Sequence, residues 1–204
     1  MSKNIDKIFY INLDKRDDRK KEFETEMDTM GWQAERFPGI YYSPPKGIVG
    51  CGKSHLEVLK LAKNRGYKNI IIFEDDFVFV EPKETVERQL ETFFTNVTDF
   101  KVCMLAYNLH SGMADLKHLY LTKVKRAATA SGYIVNHTCY DELINLYEEN
   151  LPLLESTMEH WKYANDQIWN KLQEKGGWYC FTNRLGKQRD GFSDNANTYL
   201  KYDC

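Results

Sequence analysis

Residues 70–79 read Ile-Ile-Ile-Phe-Glu-Asp-Asp-Phe-Val-Phe, an apolar run that three acids interrupt. The first part, Asn69–Phe73, is short and β-branched, which predicts a strand buried in a sheet. An unpaired buried carboxylate is strongly destabilising, so Glu74, Asp75 and Asp76 must reach solvent, a basic partner or a cation. We therefore expect the acids to lie where a buried strand leaves the core.

Two carboxylates at the end of a strand suit a hard divalent cation such as Mn²⁺ or Mg²⁺. Such an ion can bridge to a diphosphate and neutralise its charge while the bond to the leaving group breaks. Asp75 and Asp76 are therefore predicted to be metal ligands. The alternative is a solvated, inert acidic turn between two strands, and the strand context favours the metal site.

Strands and helices alternate on both sides of this stretch. Strands are predicted at residues 8–13, 101–107, 128–135 and 178–181, and helices at residues 14–31, 54–66, 139–147 and 165–174. Asp14 is predicted to cap the first helix and Ser54 the second. This alternation predicts an α/β fold with a mostly parallel sheet, whose sites lie at the carboxyl ends of the strands.

Residues 47–54, Gly-Ile-Val-Gly-Cys-Gly-Lys-Ser, match the phosphate-loop pattern G-x-x-x-x-G-K-S. A true phosphate loop follows a buried strand and enters a helix, so that its amides point at the phosphates. Pro44 and Pro45 occupy the place of that strand, and proline cannot donate to a central ladder. A nucleoside triphosphatase is therefore kept as the less favoured function, while Lys53 could still contact a phosphate.

Three other polar segments are candidates for the site. Arg16 and Arg19 would share a helix face that suits anion capture, although a solvated first turn is the simpler interpretation. Asp166 would lie in the first turn of a helix, where the dipole alone explains a carboxylate. Residues 186–195 form a polar tail rich in groups that bind phosphate, sugar or metal. The five histidines show no metal-ligand spacing, which favours capping or surface roles for them.

The composition excludes several classes of protein. The chain has 204 residues, a formal net charge of -2 and 42% hydrophobic residues, which predicts one soluble domain without a broad nucleic-acid footprint. The five cysteines are widely spaced and form no C-x-x-C pair, which favours a reducing compartment. No signal peptide or bilayer-spanning apolar run is visible, so we expect a cytoplasmic protein, with a homodimer left open.

Five segments, in this order, resemble motifs of glycosyltransferase family 25, the lipooligosaccharide-biosynthesis and procollagen galactosyltransferase family. Residues 10–19 resemble its I-N-L-D-R-x-x-x-R, residues 50–56 its G-C-x-x-S-H, residues 72–76 its L-E-D-D, residues 130–135 its G-x-x-A-Y-L-I, and residues 188–194 its Q-x-x-x-S-D. Each motif is modest alone, but five in order are specific.

The resemblance implies a nucleotide-diphospho-sugar transferase (GT-A-like) fold, a single Rossmann-type α/β domain spanning residues 1–204. Residues 1–135 would bind the nucleotide sugar, and residues 136–204 would supply the acceptor part and the C-terminal loop. The implied reaction moves a hexose, galactose or glucose, from a UDP-sugar to a hydroxyl of a glycan or protein, with inversion and with Mn²⁺ or Mg²⁺. Lipopolysaccharide and collagen are the acceptors that the relatives suggest.

The resemblance also assigns roles to residues. Asp166 would be the catalytic base, with Asp190 or Asp194 as weaker candidates, and Asp75, Asp76 and Asp194 would hold the metal. The contacts to the nucleotide sugar would come from Asn12, Leu13, Arg16, Arg19, Lys53, Ser54, His55, Glu74, Gln188 and Ser193. A catalytically silent glycan-binding protein of the same fold is the remaining alternative, and the intact Glu-Asp-Asp triplet argues against it.

Overall fold

The computed structural model describes residues 2–194 and 198–202, and its centre is an eight-stranded sheet. The strands are β1 Lys7–Asn12, β2 Glu35–Pro38, β3 Asn69–Glu74, β4 Phe77–Phe79, β5 Val102–Met104, β6 Asn108–Ala114, β7 Leu121–Ala128, β8 Gly132–Asn136, β9 Trp178–Phe181, β10 Gly186–Gln188, β11 Gly191–Ser193 and β12 Thr198–Leu200. The helices are α1 Asp17–Met30, α2 Gly47–Asn64, α3 Lys83–Asn96, α4 Tyr140–Thr157, α5 His160–Tyr163, α6 Asn165–Ile168 and α7 Asn170–Gln173.

The strand order in the main sheet is β2-β1-β3-β8-β5-β9-β7-β6. Strand β1 pairs in parallel with β2 and β3, and β5 pairs in parallel with β9. Strands β8 and β7 run against their neighbours, so the other six strands share one direction. The predicted mostly parallel α/β sheet is therefore confirmed.

The side chains of β3 show why its sequence is apolar without a break. Ile70 and Ile72 pack into a core shared with α2 and α4, whereas Ile71 and Phe73 pack into a second core shared with α1 and α3. Successive side chains of a strand point to opposite faces, so a strand covered on both faces is apolar at every position. The strand can carry charge only where it leaves the two cores, at Glu74.

Both predicted helix caps are wrong. Helix α1 begins after Arg16 with no side-chain cap, and Asp14 lies exposed beside Arg36. Helix α2 begins at Gly47, so Ser54 lies two turns inside it. The Ser54 hydroxyl donates to the Gly50 carbonyl at 2.7 Å and accepts from the Ile40 amide at 2.8 Å.

Glycine at position 50 lets the loop before α2 lie directly on the helix. A Cβ at this position would approach the Ile40 carbonyl oxygen to 2.2 Å, which no side chain tolerates. Gly50 and Ser54 together fix the chain between β2 and α2, which forms one wall of the cleft described below.

Other sequence predictions need correction as well. The helix predicted at residues 165–174 is split into α6 and α7. The polar tail contains strands that were not predicted: β10, paired with β4, and β11, paired with β12. Four cysteines, Cys51, Cys103, Cys139 and Cys180, are free thiols, as expected; Cys204 and Asn195 lie outside the described residues. In the part of the chain described, no helix is long and apolar enough to cross a membrane.

Candidate active site

A cleft of about 820 Å³ opens at the carboxyl ends of β1 and β3. Four separate parts of the chain line it: residues 11–19, residues 39–54, residues 74–76, and the tail with residues 188–194 and Tyr202. Parallel strands deliver their carboxyl ends to one edge of a sheet, so the loops after β1 and β3 meet there. Four of the five motifs singled out in the sequence therefore share one cleft.

Asp75 and Asp76 lie at the floor of the cleft and are mostly buried, with 8% and 7% of their surface exposed. Arg19 spans them, because its Nη1 donates to Asp75 Oδ1 at 3.0 Å and to Asp76 Oδ2 at 3.1 Å. The other oxygen of Asp76, Oδ1, is buried and has no hydrogen-bond partner among residues 2–194 and 198–202. The guanidinium of Arg19 is therefore shared between the two carboxylates.

The electrostatics show that this site holds excess negative charge. Burial, with the nearby charge of Glu74, raises the pKa of Asp76 to about 7 despite Arg19. Burial also raises the pKa of Asp75, although Arg19 and Asn12 oppose the shift. A carboxyl that resists ionisation next to other carboxylates is typical of a site that a further cation would complete.

Glu74 lines the same cleft, and its carboxylate also belongs to a buried polar network. His55 is fully buried, and its Nε2 lies 3.0 Å from Glu74 Oε1 while its Nδ1 lies 2.8 Å from the Tyr133 hydroxyl. Burial is the largest influence and pushes the pKa of Glu74 up, but the interactions with His55, Cys51 and Arg19 together outweigh it, and the pKa lies below its ordinary value. The expected capping or surface role of His55 is therefore wrong.

The same network contains a second set of metal-ligand types. Cys51 Sγ lies 3.4 Å from Glu74 Oε1, and the ligand atoms of Cys51, His55 and Glu74 lie within 4.8 Å of one another. Both ring nitrogens of His55 already lie within hydrogen-bond distance of a partner, and burial holds the pKa of the Cys51 thiol well above its usual range. This set suits a hydrogen-bonded support for Glu74 better than a metal.

The motif at the end of β1, residues 10–19, contributes both a residue that supports Asp75 and residues that line the cleft. Asn12 is buried, and its Nδ2 donates to Asp75 Oδ2 at 2.8 Å while Arg36 Nε donates to Asn12 Oδ1 at 2.9 Å. Asn12 thus orients Asp75 and does not line the cleft. Leu13 and Arg16 line it instead. Arg36 was not singled out in the sequence, because it lies on a different strand from the motif it supports.

The C-terminal tail lies across the cleft and is held by charges. Arg16 Nη1 donates to Asp194 Oδ2 at 2.6 Å, and Lys15 Nζ lies 2.7 Å from Asp194 Oδ1. Arg19 Nη2 also donates to the Phe192 carbonyl at 2.8 Å. Asp194, predicted as a metal ligand, is thus ion-paired on the wall of the cleft, where Gln188 and Ser193 also lie.

The structure does not bring Lys53 to the cleft. Its Nζ donates to Glu155 Oε2 at 2.7 Å and to the Tyr42 hydroxyl, and its side chain lines a separate groove beside α4. Ser54 does reach the cleft, but both of its hydrogen bonds go to the backbone. The tyrosine pair Tyr41 and Tyr42 lines the cleft instead, a contribution that the proline-rich loop concealed in the sequence.

Asp166 lies near the cleft but not among the residues that line it. It is half-buried, and its Oδ2 accepts from the Thr129 amide at 3.0 Å. The preceding residue, Asn165, places its Nδ2 3.7 Å from Cys51 Sγ. Helix α6 therefore flanks the network behind Glu74, on the side of the sheet that carries α2.

Comparisons with known proteins agree with this architecture. No family model matches the chain. A Drosophila melanogaster protein described as a glycosyltransferase 25 family member is 28% identical over an alignment that covers 37% of this chain and 17% of that protein. The chain therefore spans about a sixth of the length of the curated relative it matches, and the match supports the resemblance to family 25.

Solved structures extend the comparison to nearly the whole chain. A glycosyltransferase involved in the glycosylation of the major capsid of PBCV-1 is similar with a TM-score of 0.56 and 7% identity, over 94% of this chain and 95% of that one. A protein from STIV is similar with a TM-score of 0.50 and 9% identity, over 97% and 94% of the two chains. The fold is GT-A-like.

Proposed function

We propose that this chain is a glycosyltransferase that moves a hexose, galactose or glucose, from a UDP-sugar to a hydroxyl of a glycan or protein acceptor, with inversion at the anomeric carbon. One observation carries the proposal: four motifs far apart in the sequence meet at a cleft that combines a carboxylate pair with Lys15, Arg16 and Arg19. Carboxylates that can hold a metal and cations that can hold a diphosphate are the two requirements of such a donor site.

The donor would bind along the wall formed after β1. Lys15, Arg16 and Arg19 are the cations that line the described part of the cleft, and they would contact the diphosphate. Tyr41 is 55% exposed beside them, and Lys15 Nζ lies 4.6 Å from its ring centroid. An exposed aromatic ring at this position offers the base of the nucleotide a surface to stack on.

A divalent cation fits the residues present. Asp75 and Asp76 would hold it, because Asp76 Oδ1 is buried without a hydrogen-bond partner among the described residues and the site holds excess negative charge. When bound, the ion would neutralise charge on the leaving diphosphate. Arg19 would have to give up part of its contact with the two carboxylates, and Asn12 would keep Asp75 oriented throughout.

Asp166 is the proposed base. An inverting transfer is a single displacement, in which the acceptor oxygen bonds to the anomeric carbon as the bond to the diphosphate breaks and a base takes the hydroxyl proton. The Thr129 amide donates to Asp166 Oδ2 at 3.0 Å and so fixes the orientation of the carboxyl group. Its place on α6, apart from Asp75 and Asp76, would keep the base away from the diphosphate.

Two observations argue against the alternatives. Residues 47–54 are helical from Gly47 onward, and Lys53 is paired with Glu155, so the phosphate-loop pattern forms no phosphate cradle. A silent glycan-binding protein would have no use for an Asp75–Asp76 pair buried at a cost in free energy.

A thermal-shift panel of nucleotides with Mn²⁺ tests the proposal. At a hundredfold excess over its dissociation constant, UDP should add about 2.7 kcal/mol of stability. At roughly 2–4 °C per kcal/mol, the midpoint should rise by about 5–11 °C. A larger shift with ATP than with UDP would favour the hydrolase instead. The release of UDP from UDP-galactose or UDP-glucose then separates an enzyme from a silent binder.

A further inference from the structure

The hairpin formed by β6 and β7, residues 108–128, presents apolar side chains to solvent at the edge of the sheet farthest from β2 and β1. Met113 is 58% exposed, Leu116 is 88% exposed and Leu119 is 73% exposed. All seven residues of β6 are exposed. Single exposed apolar residues are ordinary, but three within seven residues around one tight turn form a patch.

The same hairpin concentrates positive charge. Residues 108–128 contain Lys117, Lys123, Lys125 and Arg126 against one acid, Asp115, which gives a net charge of +3 with neutral histidines. The whole chain carries -2, so the rest of the chain carries -5. The four cations are exposed, whereas Asp115 is buried and accepts from the Lys117 amide at 3.0 Å.

The strand register places apolar and cationic side chains together. Met113 lies directly opposite Lys123 across the two strands, so their side chains share one face. Lys125 follows Lys123 by two residues and is exposed at the register shift opposite Ser111 and Gly112. Leu116 and Leu119 lie at the turn that ends this face. Apolar residues at a tip with cations behind them are typical of segments that lie in a membrane interface.

We propose that the tip of this hairpin docks onto the surface of an anionic lipid bilayer. Leu116 and Leu119 enter the boundary between headgroups and acyl chains, while Lys117 and Lys125 contact lipid phosphates. None of these residues lines the cleft, so docking does not depend on the proposed transferase chemistry.

The charges disfavour a second copy of the chain as the occupant. Strand β6 is an edge strand, and its free backbone groups could pair with another β6. Such pairing would bring two hairpins of net charge +3 side by side, and like charges opposite one another are destabilising. An anionic surface is complementary to the same charges.

Co-sedimentation of the full chain with vesicles tests the proposal. The protein should pellet with vesicles of phosphatidylcholine and phosphatidylglycerol, but not with phosphatidylcholine alone, and salt should reduce the pelleted fraction. Lys117→Glu with Lys125→Glu should weaken vesicle binding by about thirtyfold or more. Leu116→Ser with Leu119→Ser should weaken it by about tenfold or more.

Matched changes elsewhere provide the controls. Lys171→Glu with Lys175→Glu makes the same charge change at exposed positions outside the hairpin, and Leu153→Ser removes an exposed leucine from α4. These variants should bind vesicles within about twofold of the parent, and circular dichroism should show every variant folded.

Three results would overturn the proposal: no binding to anionic vesicles, equal binding to neutral ones, or hairpin variants that behave like the controls. Light scattering covers the remaining case. If the protein does not bind vesicles but forms a dimer, and Leu116→Ser with Leu119→Ser dissociates that dimer, the hairpin is an interface with a second copy of the chain.

Discussion

Asp76 combines burial, a raised pKa and an oxygen that has no hydrogen-bond partner in the described part of the chain. Its pKa is about 7 in the folded protein, well above the ordinary value for aspartate in an unfolded chain. The folded state therefore binds more protons than the unfolded state between these values, so this group's contribution to stability is complete below about pH 4 and is lost as the pH rises through 7. Without a bound cation, the ionised carboxyl of Asp76 therefore lowers the stability of the folded state most at alkaline pH.

Asp76→Asn should consequently raise the stability of the metal-free protein and abolish metal binding. In EDTA at pH 8, we expect the variant to melt above the parent, because the amide removes a buried, incompletely paired charge while nearly keeping the shape. The difference should shrink as the pH falls toward 5. Mn²⁺ should raise the melting temperature of the parent and leave the variant unchanged, as differential scanning fluorimetry can measure.

Asp75→Asn serves as the companion variant, and it should also abolish the Mn²⁺ effect. Sugar transfer at the native rate by both variants would show that the two acids hold no metal that the reaction needs.

Ser54 provides a test of helix α2, which contains the phosphate-loop pattern of residues 47–54. Ser54→Ala leaves the Ile40 amide without its hydroxyl acceptor, which should cost about 1–3 kcal/mol. The melting temperature should fall, while Mn²⁺ and UDP dissociation constants stay within about twofold. Ser156→Ala, which removes an exposed helical serine that donates to Leu153, should change little. Loss of metal affinity at unchanged stability would revive the phosphate-loop interpretation.

Among the elements, α6 carries the proposed base, Asp166, and its role can be tested by one substitution. Asp166→Asn keeps an oxygen that can accept from the Thr129 amide, so the fold and the position of α6 should survive. If Asp166 is the base, kcat should fall at least about a hundredfold while UDP affinity stays within about twofold. Steady-state kinetics and a UDP titration measure the two quantities.

An Asp194→Asn variant in the C-terminal tail serves as the comparison for Asp166→Asn. Asp194 is ion-paired with Arg16 and Lys15, so Asp194→Asn should weaken UDP binding through the cleft wall rather than lower kcat alone. Near-native turnover by Asp166→Asn would remove Asp166 from the mechanism and make Asp190 or Asp194 the next candidate.

The elements also show how far sequence reasoning reaches. Strand β3 and its acids were predictable, because an uncharged β-branched run can end in carboxylates only where it leaves the core. The contact between His55 and Tyr133 was not, because 78 residues separate them and only the pairing of β3 with β8 brings them together. The hairpin of β6 and β7 also escaped prediction, since its exposed strand shows no alternation of buried and exposed positions.

At the scale of the whole molecule, the two functional parts inferred from the resemblance share one sheet. Strand β9, residues 178–181, lies between β5 and β7, and α4 packs on the core that contains Ile70 and Ile72. A fragment of residues 1–135 would lose the interior strand β9 and helix α4, which shares that core with α2. We expect it to show no cooperative unfolding transition and no UDP binding, by circular dichroism and calorimetry, under conditions in which the full chain shows both.

Arg19 has a consequence for the order of events in the cleft. Its guanidinium contacts Asp75, Asp76 and the Phe192 carbonyl at once. A cation that takes over the carboxylates would release the same guanidinium that is proposed to contact the diphosphate, so each ligand would prepare the site for the other. Binding should then be ordered, with metal entering before nucleotide and UDP leaving before metal, and each should tighten the other's affinity by the same factor.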